Sequence, residues 1–293
     1  MKTISYNDKT FLVDINDFAR PISETKDLFE SFPNILAGRS LYEFITKMKL
    51  VKQNNQEIIW GMGAHVVKTG LSLIINDLIK NGYITHMAIN GAFLIHDYEI
   101  AKFGKTSEDI SGKLYYGEFG NTEETLFELN HIINICDDLN FHDRIFKYFK
   151  DFLYKEYSVL YNAGLNKIPF SMHTAIGTDI ICNSDNFDGE KFGGLLHRDY
   201  KLFCSKVANF KNGGVYLNIG SSVILPEVFL KAITYCINSG IELGDFTTAV
   251  FDMSKQYRPL ENVVKRSVKN GYGYYFIGHN ELMIPLLAYL LLN

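Results

Sequence analysis

Apolar, strand-like segments alternate with helical segments along most of this chain, and this order constrains its fold more than any other feature. The strand-like segments are short and rich in branched and aromatic residues, whereas the segments between them repeat apolar residues at helical spacing. The predicted strands are 57–62, 84–89, 168–176, 213–219, 246–251 and 272–277. Because parallel strands need long crossover connections, we expect a Rossmann-like doubly wound α/β fold, a mainly parallel sheet with helices on both faces.

The other segments fit a single domain of residues 1–293. A short extended piece is expected over 11–15 and a helix over 39–52, within an N-terminal helical extension (1–55) that packs on the sheet. The polar, glycine-containing stretch 103–120 predicts a loop. Asn121 and Glu124 after it resemble a helix-capping pair.

Composition excludes several classes of protein. With 29 basic against 33 acidic residues, the net charge is −4, and no basic excess exists to bind the phosphates of a nucleic acid. No Cys-x-x-Cys pair and no metal-binding histidine spacing occurs, so we expect reduced thiols and no metal site; the cysteines are Cys136, Cys182, Cys204 and Cys236. The N-terminus has no apolar leader, and the run 282–292 is too short to span a bilayer. We therefore expect a cytoplasmic protein without nucleic-acid or membrane partners.

Glycine and polar residues around the strand ends are the candidates for a binding site, because parallel sheets bind ligands at the carboxyl ends of their strands. The predicted cofactor-binding residues are Gly63, His65, Asn90, Gly91, Gly213, Gly214, Thr248, Ala249, Asp252 and His279. The glycine pattern alone is weak evidence, since Val66 stands where the dinucleotide fingerprint requires a third glycine. An ordinary tight turn at Gly63 and close packing at Gly213 and Gly214 remain open alternatives.

His96 and Asp97 are candidates for proton transfer. Histidine suits acid–base chemistry near neutral pH, and a carboxylate can act as a base. The two residues are adjacent and point in different directions on a helix, although both could line one cavity near its start. For His96, the alternative is a capping or hydrogen-bonded core histidine.

Several longer segments together resemble the deoxyhypusine synthase family, most closely its bacterial deoxyhypusine-synthase-like branch. The resemblance runs from about residue 18 to the end; the segments that carry it are 13–21, 60–71, 88–109, 173–180, 212–232, 246–252 and 257–259. It implies a Rossmann-like fold and a homotetramer with NAD in sites shared between paired subunits. In that family NAD oxidises spermidine, and the aminobutyl group passes through a lysine imine to a protein lysine or a small amine.

Matching positions carry the family's cofactor contacts onto the glycine and polar residues given above, and Asp179 is the nearest counterpart of a family aspartate. The imine-forming lysine has no counterpart at its own position, which is Ser267 here. Asn218 replaces a family histidine that is important in proton transfer. Lys265, two residues before Ser267, and Lys68 are the possible replacements for the lysine.

The sequence thus predicts an NAD-dependent enzyme that acts on a small amine and is not a true deoxyhypusine synthase. In this hypothesis His96 or Asp97 is the general base, Asp179 and Asn218 orient the substrate, and Lys265 or Lys68 forms any imine. Two alternatives remain open: an aminobutyl transferase with a displaced lysine, and a non-catalytic nucleotide-binding homo-oligomer.

Overall fold

Six parallel strands form one sheet in the order β3-β2-β1-β4-β5-β6. The computed structural model describes residues 15–26, 28–109, 115, 120, 122–135, 139–269 and 272–293. The strands are β1 Glu57–Met62, β2 His86–Ile89, β3 Phe170–Met172, β4 Gly214–Ile219, β5 Thr247–Asp252 and β6 Gly273–Ile277. This order is that of the Rossmann fold, and it confirms the predicted doubly wound α/β sheet.

Helices cover both faces of the sheet. In the described residues the α-helices are α1 Leu36–Gln53, α2 His65–Lys68, α3 Ser72–Lys80, α4 Gly91–Phe103, α5 Glu123–Asn134, α6 Phe141–Phe149, α7 Val159–Leu165, α8 Gly189–Ala208, α9 Ile224–Asn238 and α10 Asn280–Leu292. A π-helix spans Pro259–Lys265, and 3₁₀ turns lie at Ile15–Asp17, Ile22–Glu24, Phe29–Ser31, Lys155–Tyr157, Ile180–Asn183 and Asn209–Asn212. No helix in these described ranges is both long and apolar enough to cross a membrane.

The central strands are buried on both sides, which explains their nearly continuous apolar sequence. In β1, Ile58 and Trp60 face the larger core, formed with α1, α3, α4 and α10, whereas Ile59 faces the smaller core under α9 and the π-helix. The indole N–H of Trp60 donates to the carbonyl of Tyr83 at 3.0 Å, so this buried polar group is paired. Apolar burial and satisfied polar groups together place β1 at the centre of the sheet.

Helix α8 belongs to both cores. Phe192 and Leu195 in its first half pack in the larger core, and Phe203 and Val207 in its second half pack in the smaller one. This path follows from the strand order, because the connection from β3 to β4 must pass from one face of the sheet to the other. From α8, Asp199 also reaches the edge strand β3.

The carboxylate of Asp199 accepts a hydrogen bond from the backbone N–H of Met172 at 2.7 Å. Strand β3 is at the edge of the sheet, so on one side its backbone groups have no neighbouring strand. Asp199 pairs one of these groups, but it does so as a buried acid. Burial raises its pKa to about 7, although the Met172 N–H and Arg198 lower it.

The element boundaries differ from the predictions at a few places. The strand predicted over 168–176 ends at Met172, because the chain then turns through Ala175–Thr178 with Gly177 at a φ of 86°. Strand β5 extends through Asp252, which was expected to follow it. The proposed cap Asn121, Cys136, and most of 11–15 and of 110–119 lie outside the described residues; Thr122 occupies the N-cap of α5.

Candidate active site

The loops after β1 and β4 touch at the carboxyl edge of the sheet, where the strand order reverses. The N–H of Gly63 donates to the carbonyl of Ile219 at 2.9 Å, and a Cβ atom at position 63 would overlap the carbonyl oxygen of Gly220. Gly63 is therefore required by the close approach of the two backbones. The same approach leaves backbone, rather than side chains, at the place where Rossmann folds bind their ligands.

Three buried oxygen acceptors at this edge have no partner among the described residues: Asn218 Oδ1, Asp252 Oδ2 and Asn280 Oδ1. The other polar atom is held in two of these side chains, since Asn218 Nδ2 donates to the carbonyl of Ser221 at 2.8 Å and Asp252 Oδ1 accepts from the N–H of Ser254 at 3.3 Å. Buried acceptors are usually paired, so three orphaned ones in a single region indicate a place for hydrogen-bond donors.

Gly220 lies among these acceptors. Its N–H donates to the carbonyl of Phe251, the residue before Asp252. A Cβ atom on Gly220 would lie 3.0 Å from Asn280 Nδ2 and 3.6 Å from His65 Cβ. Burial raises the pKa of Asp252, against the lowering effect of the Ser254 and Met253 N–H groups and of His65. The structure thus brings together Gly63, His65, Asn218 and Asp252, which the sequence predicted separately.

A cavity of about 730 Å³ opens beside α4. Its polar side chains include Lys68, His96, Glu99 and Asp179, and Ile95 lies among its apolar lining residues. Lys68 is the last residue of α2, the helix that begins with His65. The short helix α2 therefore connects the carboxyl edge of the sheet to this cavity.

Asp179 lies at the beginning of α4. Its carboxylate accepts hydrogen bonds from the hydroxyl of Thr174 and from the backbone N–H of Ala92. A Cβ atom on Gly91 would overlap this carboxylate, so glycine at position 91 lets Asp179 approach. Asn90, the residue before Gly91, caps α4 by accepting a hydrogen bond from the Phe93 N–H at 2.9 Å. Burial raises the pKa of Asp179, and its two hydrogen bonds oppose that shift.

His96, Thr106 and Glu99 form a chain of contacts on the wall of the cavity. His96 Nδ1 lies 2.6 Å from Thr106 Oγ1, and the Thr106 hydroxyl donates to Glu99 Oε2. Thr125 on α5 donates to the other oxygen, Glu99 Oε1, at 3.4 Å. The His96 and Glu99 side chains are only 18% and 15% exposed, so both are largely sheltered from water while still facing the cavity.

Asp97 does not share the cavity with His96, and this corrects its prediction as a possible base. Its carboxylate accepts from Ser158 Oγ at 2.5 Å and from the N–H groups of Val159 and Leu160 at 2.7 and 3.1 Å. These are the free donors at the start of α7, so Asp97 caps that helix. Burial raises its pKa to about 6, although the three hydrogen bonds lower it.

Four predicted cofactor-binding residues lie away from the carboxyl edge. Gly213 and Gly214 precede or begin β4, opposite the first residue of β1, and a Cβ atom on Gly214 would overlap the ring of Phe210. Close packing therefore accounts for this glycine pair. Thr248 and Ala249 lie inside β5 without exposed surface, and the Thr248 hydroxyl donates to the carbonyl of Val263 at 2.7 Å. None of the four is available to a ligand at the carboxyl edge.

The lysine predicted near the end of the chain also lies elsewhere. Lys265 ends the π-helix, where its ammonium pairs with Glu261 at 2.7 Å and its side chain is 57% exposed. Ser267 lines a different cavity together with Phe246 and Tyr272, which precede β5 and β6 at the amino edge. His279 is exposed at the N-cap of α10, beside Asn280. Of the two candidate lysines, only Lys68 lines the cavity beside α4.

The sequence analysis did not single out Glu99 or Thr106. Glu99 lies three residues after His96, a spacing that places both side chains on one face of a helix and could have indicated the pair. Thr106 comes from the segment after α4, whose path the sequence does not predict.

Comparisons with known proteins place the fold. A family model described as "Arginine dihydrolase ArgZ-like, C-terminal, Rossmann fold" matches residues 43–136. The apo structure of ArgZ, an arginine dihydrolase from the ornithine–ammonia cycle in cyanobacteria, superposes with a TM-score of 0.55 at 16% identity, covering 88% of this chain and 33% of that chain. A ternary complex of AgrE with ornithine and NAD⁺ gives a TM-score of 0.57 at 15% identity, covering 88% and 34%.

A proposed deoxyhypusine synthase from Entamoeba histolytica also has this fold, with a TM-score of 0.53 at 10% identity, covering 93% of this chain and 95% of that chain. No curated protein sequence matches the chain. The chain spans about a third of the length of ArgZ and AgrE. At these identities the comparisons establish a Rossmann-like fold shared with ArgZ, AgrE and a deoxyhypusine synthase-like protein, which confirms the resemblance seen in the sequence at the level of the fold.

Proposed function

We propose that this chain is an NAD-dependent enzyme that oxidises a small amine at the carboxyl edge of its sheet. The observation that carries the proposal is the group of three unpaired buried acceptors on Asn218, Asp252 and Asn280. Ribose hydroxyl and carboxamide N–H groups are the kinds of donor that a dinucleotide would bring to them. The strand order supports the proposal, because dinucleotides bind at this switch point in Rossmann folds.

The residues present fit such a cofactor. Gly220 is partly exposed and has no side chain to block a close approach, whereas a Cβ atom there would press on Asn280 Nδ2. Asp252 and Asn280 would accept hydrogen bonds from the cofactor, and His65 and Lys68 on α2 would face its phosphates. The complex of AgrE with NAD⁺, which has the same fold, adds support.

The cavity beside α4 is suited to a cationic substrate. Glu99, Glu108 and Asp179 give it three carboxylates, against the two positive charges of Lys68 and Lys105. An alkylammonium group would be attracted to the carboxylates, with its chain against the apolar part of the wall. Ornithine, present in the AgrE complex, and spermidine, the substrate implied by the resemblance, both carry such a group.

Bound NAD would supply the acceptor for a hydride from the carbon next to the amine nitrogen. The ammonium nitrogen must first lose one proton so that its lone pair can form the C=N bond as the hydride leaves, and His96 is placed on the cavity wall to take that proton. Asp179 is held by Thr174 and Ala92, so it can orient the substrate without rearrangement. In this scheme Asn218 contacts the cofactor rather than the substrate.

Calorimetric titration of NAD into the purified protein, with and without spermidine or ornithine, tests the proposal. We expect a micromolar dissociation constant, about −8 kcal/mol, that becomes tighter in the presence of one amine. Asp252→Ala should weaken binding about tenfold or more, because it removes a charged acceptor, whereas the exposed Asp185→Ala should bind as the wild type does. No heat of binding at millimolar NAD would refute the proposal.

An aminoalkyl transferase remains a second candidate, because Lys68 lines the cavity. After losing a proton, its amine could attack the C=N carbon of the oxidised substrate and displace the amine bonded there, so that the alkyl group is carried as an imine on Lys68. Borohydride reduction during turnover would fix that imine as a stable mass increase on the peptide that contains Lys68. An unmodified peptide, with full oxidation activity in Lys68→Arg, would exclude Lys68 as the imine-forming residue. The homotetramer implied by the resemblance stays a prediction.

A further inference from the structure

We propose that Glu99 and Thr106 are positioning residues that hold His96 in its Nδ1–H form, so that Nε2 is the proton-accepting atom. The role in turnover rests on the function proposed above. The arrangement of protons follows from the contacts alone. Neither Glu99 nor Thr106 needs to touch a ligand for this role.

The proton on His96 is fixed by counting donors. A threonine hydroxyl has one hydrogen, and an ionised carboxylate can only accept. Because the Thr106 hydroxyl donates to Glu99, it has no hydrogen left for His96. The 2.6 Å contact between His96 Nδ1 and Thr106 Oγ1 must therefore be a bond that the ring donates.

This assignment leaves a lone pair on Nε2 while the ring is neutral. The chain from Glu99 through Thr106 to His96 then has the same logic as a carboxylate that orients a catalytic histidine, with a hydroxyl inserted between the two groups. Glu99 is itself held from a second side, because Thr125 donates to its other oxygen. The carboxylate also lies 3.6 Å from His96 Nδ1, where it would stabilise the imidazolium formed after proton transfer.

Nitrogen NMR of histidine-labelled, ligand-free protein at a pH of about 8.5 measures the tautomer directly. We expect His96 to show the ring shifts of the Nδ1–H form, which is the minor form of free histidine. Thr106→Val removes the acceptor and should return His96 to the Nε2–H form. Thr106→Ser keeps the hydroxyl and should keep the wild-type shifts.

Thr125→Val is the matched control, because it deletes a hydroxyl that contacts the same carboxylate but not the ring. Its His96 shifts should equal those of the wild type. An Nε2–H ring in the wild-type protein, or unchanged shifts in Thr106→Val, would overturn the proposal. Circular dichroism of each variant shows whether it is folded. If Thr106→Val does not fold, the His96 shifts of the wild type and of Thr106→Ser still test the proposed tautomer.

The same variants separate this proposal from the proposed function. For the amine that tightens NAD binding, Thr106→Val should lower kcat about 100-fold with little change in KM, and Thr106→Ser should restore it. An unchanged kcat in Thr106→Val would refute the positioning role even if the tautomer changed. Failure of wild-type protein to bind NAD would refute the proposed function, whereas the NMR result would still decide the tautomer.

Discussion

Asp199 makes the stability of this protein depend on pH in a predictable direction. Its pKa is about 7 in the folded protein against an ordinary value of 3.8, because α8 buries it against the edge strand β3. The folded state therefore binds this proton more tightly than the unfolded state does. The resulting stability is fully present at low pH and is lost as the pH rises through the folded-state pKa.

The magnitude follows from the two pKa values. Between them, each pH unit changes the free energy of unfolding by about 1.4 kcal/mol for one proton. A rise from about pH 5.5 to about pH 8 crosses about 1.5 pH units of the interval between the two pKa values, so the contribution of Asp199 to the free energy of unfolding should fall by about 2 kcal/mol. Asp199→Asn removes the titration while keeping an oxygen that can accept from the Met172 N–H.

Urea unfolding followed by the fluorescence of Trp60, the single tryptophan, would measure this effect. The quantity to compare is the difference between wild type and Asp199→Asn at each pH, since every other titrating group is common to both proteins. That difference should change by about 2 kcal/mol between about pH 5.5 and 8, with the variant gaining relative stability as the pH rises. An exposed control, Asp185→Asn, should run parallel to the wild type. Parallel curves for Asp199→Asn would refute the reasoning.

Three further substitutions test other parts of the structure. Gly63→Ala should lower the free energy of unfolding in urea by about 1–3 kcal/mol, because its Cβ atom would overlap Gly220. Gly193→Ala, with open space around it, should instead be neutral or stabilising. Equal losses of stability in the two variants would contradict the close approach at Gly63. Asp97→Ala should cost about 3 kcal/mol by the same measurement, because it leaves three buried donors at the start of α7 unpaired; a change below about 1 kcal/mol would argue against the cap. Lys265→Ala should change stability by less than about 1 kcal/mol and leave the NAD affinity measured by calorimetry unaltered, because its ion pair is exposed. A loss of NAD affinity would instead show that Lys265 contributes to the binding site.

The fold could be predicted because the strands are buried on both faces. In β1 and β4 nearly every residue is buried, so the sequence is a continuous apolar run, and helices of sufficient length separate the runs. The strand end at Met172 was missed for a local reason. The residues at 174–176 are apolar or β-branched and suit a strand, but the hydrogen-bonded turn closed by Thr178 redirects the chain.

The site was predicted less completely, because sequence shows where residues lie along a strand but not what fills the space around them. Gly63 and Gly214 are both glycines at or next to an end of a predicted strand, yet Gly63 lies at the carboxyl edge of the sheet and Gly214 packs against Phe210 at the amino edge. His96 and Asp97 are neighbours, but successive helical side chains point about 100° apart, so His96 faces the cavity and Asp97 faces the start of α7. Only the tertiary structure separates these cases.

Because α8 packs in both hydrophobic cores, the helical layers on the two faces of the sheet should unfold together. The first half of α8 completes the layer that holds the cavity beside α4, and its second half completes the layer beneath α9 and the π-helix. If α8 detached, both layers would lose large apolar side chains at once and the edge strand β3 would lose its hydrogen bond to Asp199. Partial opening is thus limited to excursions that leave α8 in place, so the slowest-exchanging amides of both layers should share one free energy of opening.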